Sequence, residues 1–357
     1  TPVLLNLSMI GASWLLSPQF DQPIYALGIG VMIGGITQLG VQIPALIKLD
    51  MVPKIGLTIK TIQAAWHHPG ARKILSLMGP ALFAVSVAQL SLIINTNIAS
   101  HLTPGSVSWL SYADRLMEFP TALLGVAIGT VLLPSLSKAN ATQDIEQVGA
   151  LMDWGLKLTF ILAAPSALAL FLFGEPLTAT LYHYGRFSAL DVSMTHWALA
   201  AYGIGLIGLI LVKILAPAYY SRQDIRTPVK IAIIVLITTQ LANLITVQWL
   251  EHAGLALSIG LGACLNAGML WHGLSKLGIL KKNAGWLIFL FKLSLALIGL
   301  SIILYLGAHQ HNWITLGQTP LTRISLLAGW LMVAGVTYLS ILWILGFRTK
   351  NFLYKTE

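Results

Sequence analysis

Apolar residues run along this chain in ten blocks, at 2–16, 24–47, 74–99, 106–134, 154–173, 193–215, 229–249, 254–272, 286–306 and 324–345, separated by short polar connections. Each block predicts an α-helix, and all but the first come close to or exceed the roughly 20 residues that cross a bilayer. The second block carries Gly30 and Gly34 at the small-xxx-small spacing that lets helices approach closely. The third carries Ser86, Gln89, Thr96 and Asn97 along one side. The longest polar connection is 48–73, with Lys48, Lys54, Lys60, Arg72 and Lys73. Its Ile55, Ile59 and Ile62 suit a helix lying on the membrane surface, a linker between two lobes. The last two blocks carry few polar residues and read as lipid-facing or peripheral helices.

Composition places these blocks in a membrane. Of 357 residues, 56% are hydrophobic and only 9% charged, with a mean hydropathy of +0.80. Soluble domains carry roughly 25% charged residues. The fold class is an all-α polytopic membrane protein with ten predicted spans. The net charge of +9 does not point to nucleic acid, because the basic residues lie in loops rather than on one aromatic-interleaved surface. Alternate loops collect Lys48 to Lys73, Lys138, Arg222, Arg226, Lys230, Lys276, Lys281, Lys282, Arg348, Lys350 and Lys355. The opposite loops hold Arg186, with Arg323 at a span edge. Under the positive-inside rule, both ends of the chain are cytoplasmic. The one cysteine, Cys264, sits in an apolar block and rules out an intrachain disulfide. Thr1 is not an initiator residue and the first block carries no signal peptide before it, so the sequence is expected to start mid-protein.

Enzyme signatures are missing. There is no His-Glu-x-x-His, no Gly-x-Ser-x-Gly, no phosphate-cradling glycine loop and no cysteine pair at zinc spacing. His67, His68, His309 and His311 fall in predicted loops and read as solvated, and no cofactor is expected. Trp66, Trp109 and Trp313 read as interfacial anchors.

The fourth block concentrates the chemistry. It places Asp114, Arg115 and Glu118 at membrane depth, where each would cost roughly 2.5–3.5 kcal/mol facing lipid near a helix centre. At about 100° per residue, Ser108, Ser111, Arg115, Glu118, Gly125 and Gly129 share one face, which reads as a cavity wall. Two readings stand side by side. Arg115 pairs with Glu118 or Asp114 and merely neutralises a polar core, or its fork binds phosphate oxygens while the carboxylates orient it. Lys213, near the end of the glycine-rich block 193–215, is either a snorkelling end residue or a second cavity cation.

The segment Ser108-Trp109 through Tyr112-Ala113-Asp114-Arg115-Leu116-Met117-Glu118-Phe119-Pro120, continued by Gly125-Val126-Ala127-Ile128-Gly129-Thr130-Val131-Leu132-Leu133-Pro134-Ser135-Leu136-Ser137, resembles the MurJ (MviN) lipid II flippases of bacteria. So does Ala216-Pro217-Ala218-Tyr219-Tyr220-Ser221-Arg222-Gln223-Asp224-Ile225-Arg226-Thr227-Pro228-Val229-Lys230. The family belongs to the multidrug/oligosaccharidyl-lipid/polysaccharide superfamily, and the resemblance implies two lobes of helices around a central cationic cavity. The ten blocks would match the family's last ten helices, with the first four, and their arginines, lacking. Residues 1–47 would then complete an incomplete amino-terminal lobe, 48–73 would be a cytoplasmic linker, 74–346 a carboxy-terminal lobe of eight helices, and 347–357 a cytoplasmic tail.

The function this implies is flipping of lipid II, the undecaprenyl-pyrophosphate-linked peptidoglycan precursor, across the inner membrane by alternating access. Its partners would be lipid II, membrane lipids and cell-wall synthesis machinery, and its substrate-binding residues Ser111, Asp114, Arg115, Glu118 and Lys213. A drug or polysaccharide exporter of the same superfamily is the alternative transporter, and a non-transporting membrane scaffold or regulator the alternative of another class.

Overall fold

The computed structural model of the protein describes residues 2–50, 58, 66–280 and 285–348. Nearly all of them are helical: α1 (Pro2–Leu15), α2 (Ile24–Lys48), α3 (Pro69–Ser100), α4 (Ser106–Ala141), α5 (Ile145–Leu172), the short α6 (Gly174–Tyr182), α7 (Ala189–Tyr220), α8 (Arg226–Lys276), α9 (Gly285–His309) and α10 (Pro320–Ile344). Among the described residues seven helices are long and apolar enough to cross a membrane, namely α2, α4, α5, α7, α8, α9 and α10. The 14-residue α1 is shorter than a span. The surface helix expected through Ile55, Ile59 and Ile62 lies outside the described residues.

The chain divides into two compact units, Thr1–Leu75 and Ser76–Glu357. In the first, α1 and α2 pack through the expected glycines. A Cβ on Gly30 would stand 2.9 Å from the Ala12 Cβ, and one on Gly34 would stand 3.0 Å from the Leu5 Cα. Both glycines are buried on a helix whose other residues are mostly exposed. Small residues at this spacing allow the close approach.

In the second unit the packing centre is α7. Its most apolar stretch is 72% buried, against 11–44% for the other candidate spans. A seam of small residues explains why. A Cβ on Gly205 would overlap Gly260, and one on Gly208 would stand 2.6 Å from the Cys264 backbone nitrogen, so α7 and α8 meet backbone to backbone. Leu132 and Leu136 of α4, Met152 and Leu156 of α5, Ile214 and Leu215 of α7 and Leu270 and Leu274 of α8 form one buried cluster. A second joins α5 to α9 and α10 through Ile161, Leu293, Leu300 and Tyr338. The rest of α9 and α10 is largely apolar and exposed, with Leu287 and Leu321 at 80% and 84%. That suits helices facing lipid.

The blocks 229–249 and 254–272 are the two helical arms of α8, parted at Glu251 (φ 48°, ψ −127°). Its two arms lie antiparallel, since the Thr246 and Ser258 hydroxyls bond at 2.8 Å and a Cβ on Gly254 would overlap Thr246. Capping starts the other helices where the sequence allows it. Ser188 and Asp191 form a reciprocal capping box on α7, and the Asp144 carboxylate accepts from the Gln147 N–H at 2.8 Å to open α5. Gly105, at φ 109°, turns the chain from α3 into α4.

Candidate substrate site on helix α4

Asp114, Arg115 and Glu118 lie in the first half of α4, and Lys138 in its last turn. The Arg115 guanidinium meets the Glu118 carboxylate one turn on, at 3.5 Å, with the two side chains 77% and 58% exposed. That is a loose, open pair, and it leaves most of the Arg115 donors unused. Asp114 is half-buried and lies within electrostatic range of the buried Tyr202 on α7, as well as of Glu118 and Arg115. Ser111 is exposed on the Arg115 side, its hydroxyl donating to the Val107 carbonyl at 2.7 Å. Ser108 is exposed too.

Lys213 reaches this same helix from α7. Its ammonium donates to the Thr121 carbonyl at 3.4 Å, and its side chain lies over Gly125. Thr121 follows Glu118 by three residues, about 4.5 Å along the axis. Lys213 makes no ion pair among the described residues. Along α4 the open Arg115–Glu118 pair is thus followed, within two turns, by the Lys213 contact at Thr121 and Gly125. The arrangement is a strip of two cations, only one with a carboxylate neighbour, on a helix face otherwise lined by small and hydroxyl side chains. Such a strip can hold an anion with several oxygens.

The packing of two residues against α4 was not legible in the sequence. Tyr182, the last residue of α6, and Phe187, from the connection between α6 and α7, pack against Tyr112 of α4 with ring centroids at 4.7 and 5.1 Å, the second pair edge to face. That connection is held from its other side by Arg323. The residue expected at a span edge is fully buried. Its Nη2 donates to the His183 carbonyl at 3.3 Å, its Nη1 lies 3.4 Å from the His183 ring, and its guanidinium lies 4.8 Å from the Tyr184 ring centroid. Aromatic residues around Gly185 were the available signal, but the partners are remote in sequence.

Other expectations change. Trp109 and Trp313 are 4% and 1% exposed, so they are core residues and not interfacial anchors. The Trp109 indole donates to the Asp191 carboxylate at 2.7 Å, and that of Trp313 to the Gly307 carbonyl at 3.1 Å. A buried indole with a partner for its N–H fits a core as well as an interface. Trp66 is exposed. On α3, Ser86, Gln89, Thr96 and Asn97 stay at the exposed surface, and the polar residue taken into the packing is Asn95, which accepts from Asn243 at 2.9 Å and from Gln240 at 3.3 Å. Cys264 is exposed on α8.

The family model described as "Lipid II flippase MurJ" matches residues 1–322. The chain belongs to the MurJ family. It is 55% identical over 351 residues to "Lipid II flippase MurJ" of Burkholderia cenocepacia, covering 98% of this chain and 67% of that protein. It is 37% identical over 361 residues to "Probable lipid II flippase MurJ" of Vibrio cholerae, covering 100% of this chain and 66% of the relative. The chain thus spans about two thirds of the length of these MurJ relatives. A solved structure, "Lipid II flippase MurJ, inward closed conformation", superposes with a TM-score of 0.75 at 23% identity, over 96% of this chain and 66% of that one. The polytopic helical fold is the fold of MurJ.

Proposed function

We propose that the protein containing this chain moves lipid II from the cytoplasmic to the periplasmic leaflet of the bacterial inner membrane by alternating access. Arg115 and Lys213 hold the pyrophosphate, Ser111 adds a hydroxyl, and Glu118 and Asp114 set the Arg115 rotamer and the local potential. The observation that carries the reading is the open Arg115–Glu118 pair at 3.5 Å with Lys213 on the same helix at Thr121. A charge kept only to neutralise a packed core would be buried against its partner. Arg115 is not. Pyrophosphate offers several oxygens to a guanidinium fork and an ammonium point charge, and those two groups suit it in different ways.

In this reading residues 1–47 close the amino-terminal lobe, 48–73 are the linker, and 74–346 make the carboxy-terminal lobe. Both ends of the chain are cytoplasmic, and cell-wall synthesis enzymes take up the delivered precursor. The membrane potential or an ion gradient supplies the energy, since the sequence holds no nucleotide-binding loop. The test is replacement. The full-length protein, expressed in cells depleted of their own flippase, is expected to restore periplasmic exposure of lipid II. Cysteines placed at Ser100 and Thr315 are expected to react with an impermeant thiol reagent from outside, and one at Gln223 is not. Membrane insertion without lipid II exposure would overturn the function, and the reverse labelling would overturn the orientation.

A further inference from the structure

Tyr112 of α4 stands three residues before Arg115 and four after Ser108, a spacing that makes the three neighbours on the helix surface. Two rings from a remote part of the chain come to it. Tyr182, at the end of α6, lies with its ring centroid 4.7 Å from that of Tyr112, and Phe187 meets Tyr112 edge to face at 5.1 Å and Tyr182 at 6.0 Å. The three rings remain accessible: Tyr112 is 38% exposed, and Tyr182 and Phe187 are half-buried. Arg323 steadies the cluster, because its guanidinium donates to the carbonyl of His183, the residue after Tyr182.

The hydroxyls of this cluster are uncommitted. Tyr184 spends its own on the Thr180 carbonyl at 2.9 Å, as Tyr219 and Tyr338 spend theirs on the Leu270 and Ile161 carbonyls. The hydroxyls of Tyr112 and Tyr182 make no hydrogen bond among the described residues. That of Tyr182 lies within electrostatic range of both Tyr112 and Arg115. Burial, and then the Tyr112 neighbour, push the Tyr182 phenol above its ordinary value against the pull of Arg115, so it keeps its proton and stays a donor. One turn from the Arg115 fork the protein thus presents two neutral O–H groups carried on apolar rings. A second phosphate would call for another cation, and a hydrocarbon chain would leave both hydroxyls unpaired. A sugar ring satisfies both parts, since its C–H face covers an aromatic ring while its hydroxyl and amide groups exchange hydrogen bonds with phenols.

We propose that Tyr112 and Tyr182 form a sugar subsite beside Arg115, which contacts the sugar carried by the pyrophosphate, with Phe187 backing the two rings. The proposal rests on the lipid II reading given above and assigns to these phenols the discrimination between a glycosylated and a bare lipid pyrophosphate. The test is native mass spectrometry of the full-length protein in detergent, titrated with lipid II and with undecaprenyl pyrophosphate, which has the same chain and pyrophosphate but no sugar. The parent protein is expected to bind lipid II more tightly. Tyr182→Phe, alone and with Tyr112→Phe, keeps the rings and removes the hydroxyls. The double variant is expected to weaken lipid II binding roughly 2- to 10-fold, the effect of losing hydrogen bonds between neutral groups, and to leave undecaprenyl pyrophosphate binding unchanged. Arg115→Ala is expected to weaken both ligands, and Tyr184→Phe, whose hydroxyl is already used within the fold, to keep the parent's preference. An undiminished preference for lipid II in the double variant would overturn the subsite and leave the lipid II reading standing. Equal weakening of both ligands would assign the phenols to the pyrophosphate and also overturn it. Binding of neither ligand by the parent protein would overturn the lipid II reading and the subsite with it. If the double variant does not fold, Tyr182→Phe alone is read by the same criteria.

Discussion

Lys213 crosses α4 where Gly125 leaves room for it. A Cβ at position 125 would stand 2.5 Å from the Lys213 Cδ, and the ammonium reaches past it to the Thr121 carbonyl at 3.4 Å. A snorkelling lysine runs its stem along apolar surface toward the nearest water. This one instead lies across a neighbouring helix, beside the face that carries Arg115 and Glu118. The glycine therefore sets the height at which the cation lies over the helix.

If that cation contacts substrate, Lys213→Met in the full-length protein removes the charge and keeps the stem. Hydrogen bonds to charged groups contribute about 1.5–3 kcal/mol, so export is expected to fall about 10- to 100-fold. Membrane abundance is expected to hold, because only one long hydrogen bond is lost. Gly125→Leu is expected to displace Lys213 and reproduce the defect. Gly125→Ala meets only the flexible middle of the lysine and is expected to do much less. Normal lipid II exposure with Lys213→Met would return Lys213 to the snorkelling class.

Glu251 breaks α8 at φ 48° and ψ −127°, a conformation that L side chains rarely adopt, while its carboxylate accepts from the Thr103 hydroxyl at 2.9 Å. Replacing it by glycine or by alanine loses the same hydrogen bond, but only glycine relieves the backbone. The difference between the two variants isolates the strain. Glu251→Ala is expected to be less stable than Glu251→Gly by about 1–2 kcal/mol, read from thermal unfolding in detergent. Equal melting temperatures would place the turn's stability in the hydrogen bond alone.

Between α7 and α8, Asp224 accepts from the Thr227 N–H at 3.0 Å. Burial alone would raise its carboxyl, yet hydrogen bonds from the Thr227 side chain and backbone and from the Arg226 backbone, with the Lys230 charge, hold it below its ordinary value of 3.8. A carboxyl depressed on folding contributes stability that is present above its unfolded pKa and is lost as pH falls through the folded one. Asp224→Asn is expected to lower the melting temperature at pH 7. It is also expected to show a smaller further drop than the parent protein between about pH 5 and pH 3. Identical pH profiles would show that the cap is not ionised in the fold.

The features that the sequence made legible are those that a single helix encodes by itself. The α4 residues Asp114, Arg115 and Glu118 declare themselves because charge is rare at that depth, and the spacing of Gly30 and Gly34 declares a close contact whatever the partner. The break near Glu251 showed as a polar gap between two apolar blocks. Features that need two distant segments were hidden. Trp109 looks the same in sequence whether it anchors at an interface or donates to Asp191, 82 residues away. Arg323 reads as an edge cation because nothing near it names His183, 140 residues back. The central place of α7 follows from Gly205 meeting Gly260, and no local pattern ranks one glycine-rich span above another.

Arg115 decides between the two readings of α4. Its span begins near Ser106, so at 1.5 Å per residue it lies roughly 12 Å inside the helix end, too deep for bulk water to be its main partner. A merely structural pair is often replaceable by apolar or neutral groups when both partners change together. A pyrophosphate clamp is not. Arg115→Ala in the full-length protein is therefore expected to abolish outward transfer of lipid II, and Arg115→Lys to restore it only in part, because a point charge cannot bind bidentately. The triple change Arg115→Leu, Asp114→Asn and Glu118→Gln is expected to fold, since it replaces the cation and both neighbouring carboxylates together and leaves no unpaired charge, and to be inactive. Periplasmic exposure of lipid II in cells depleted of their own flippase, with membrane abundance measured alongside, separates the readings. Normal exposure with the triple variant would leave only the salt bridge standing, while loss of exposure at full abundance assigns Arg115 to the substrate.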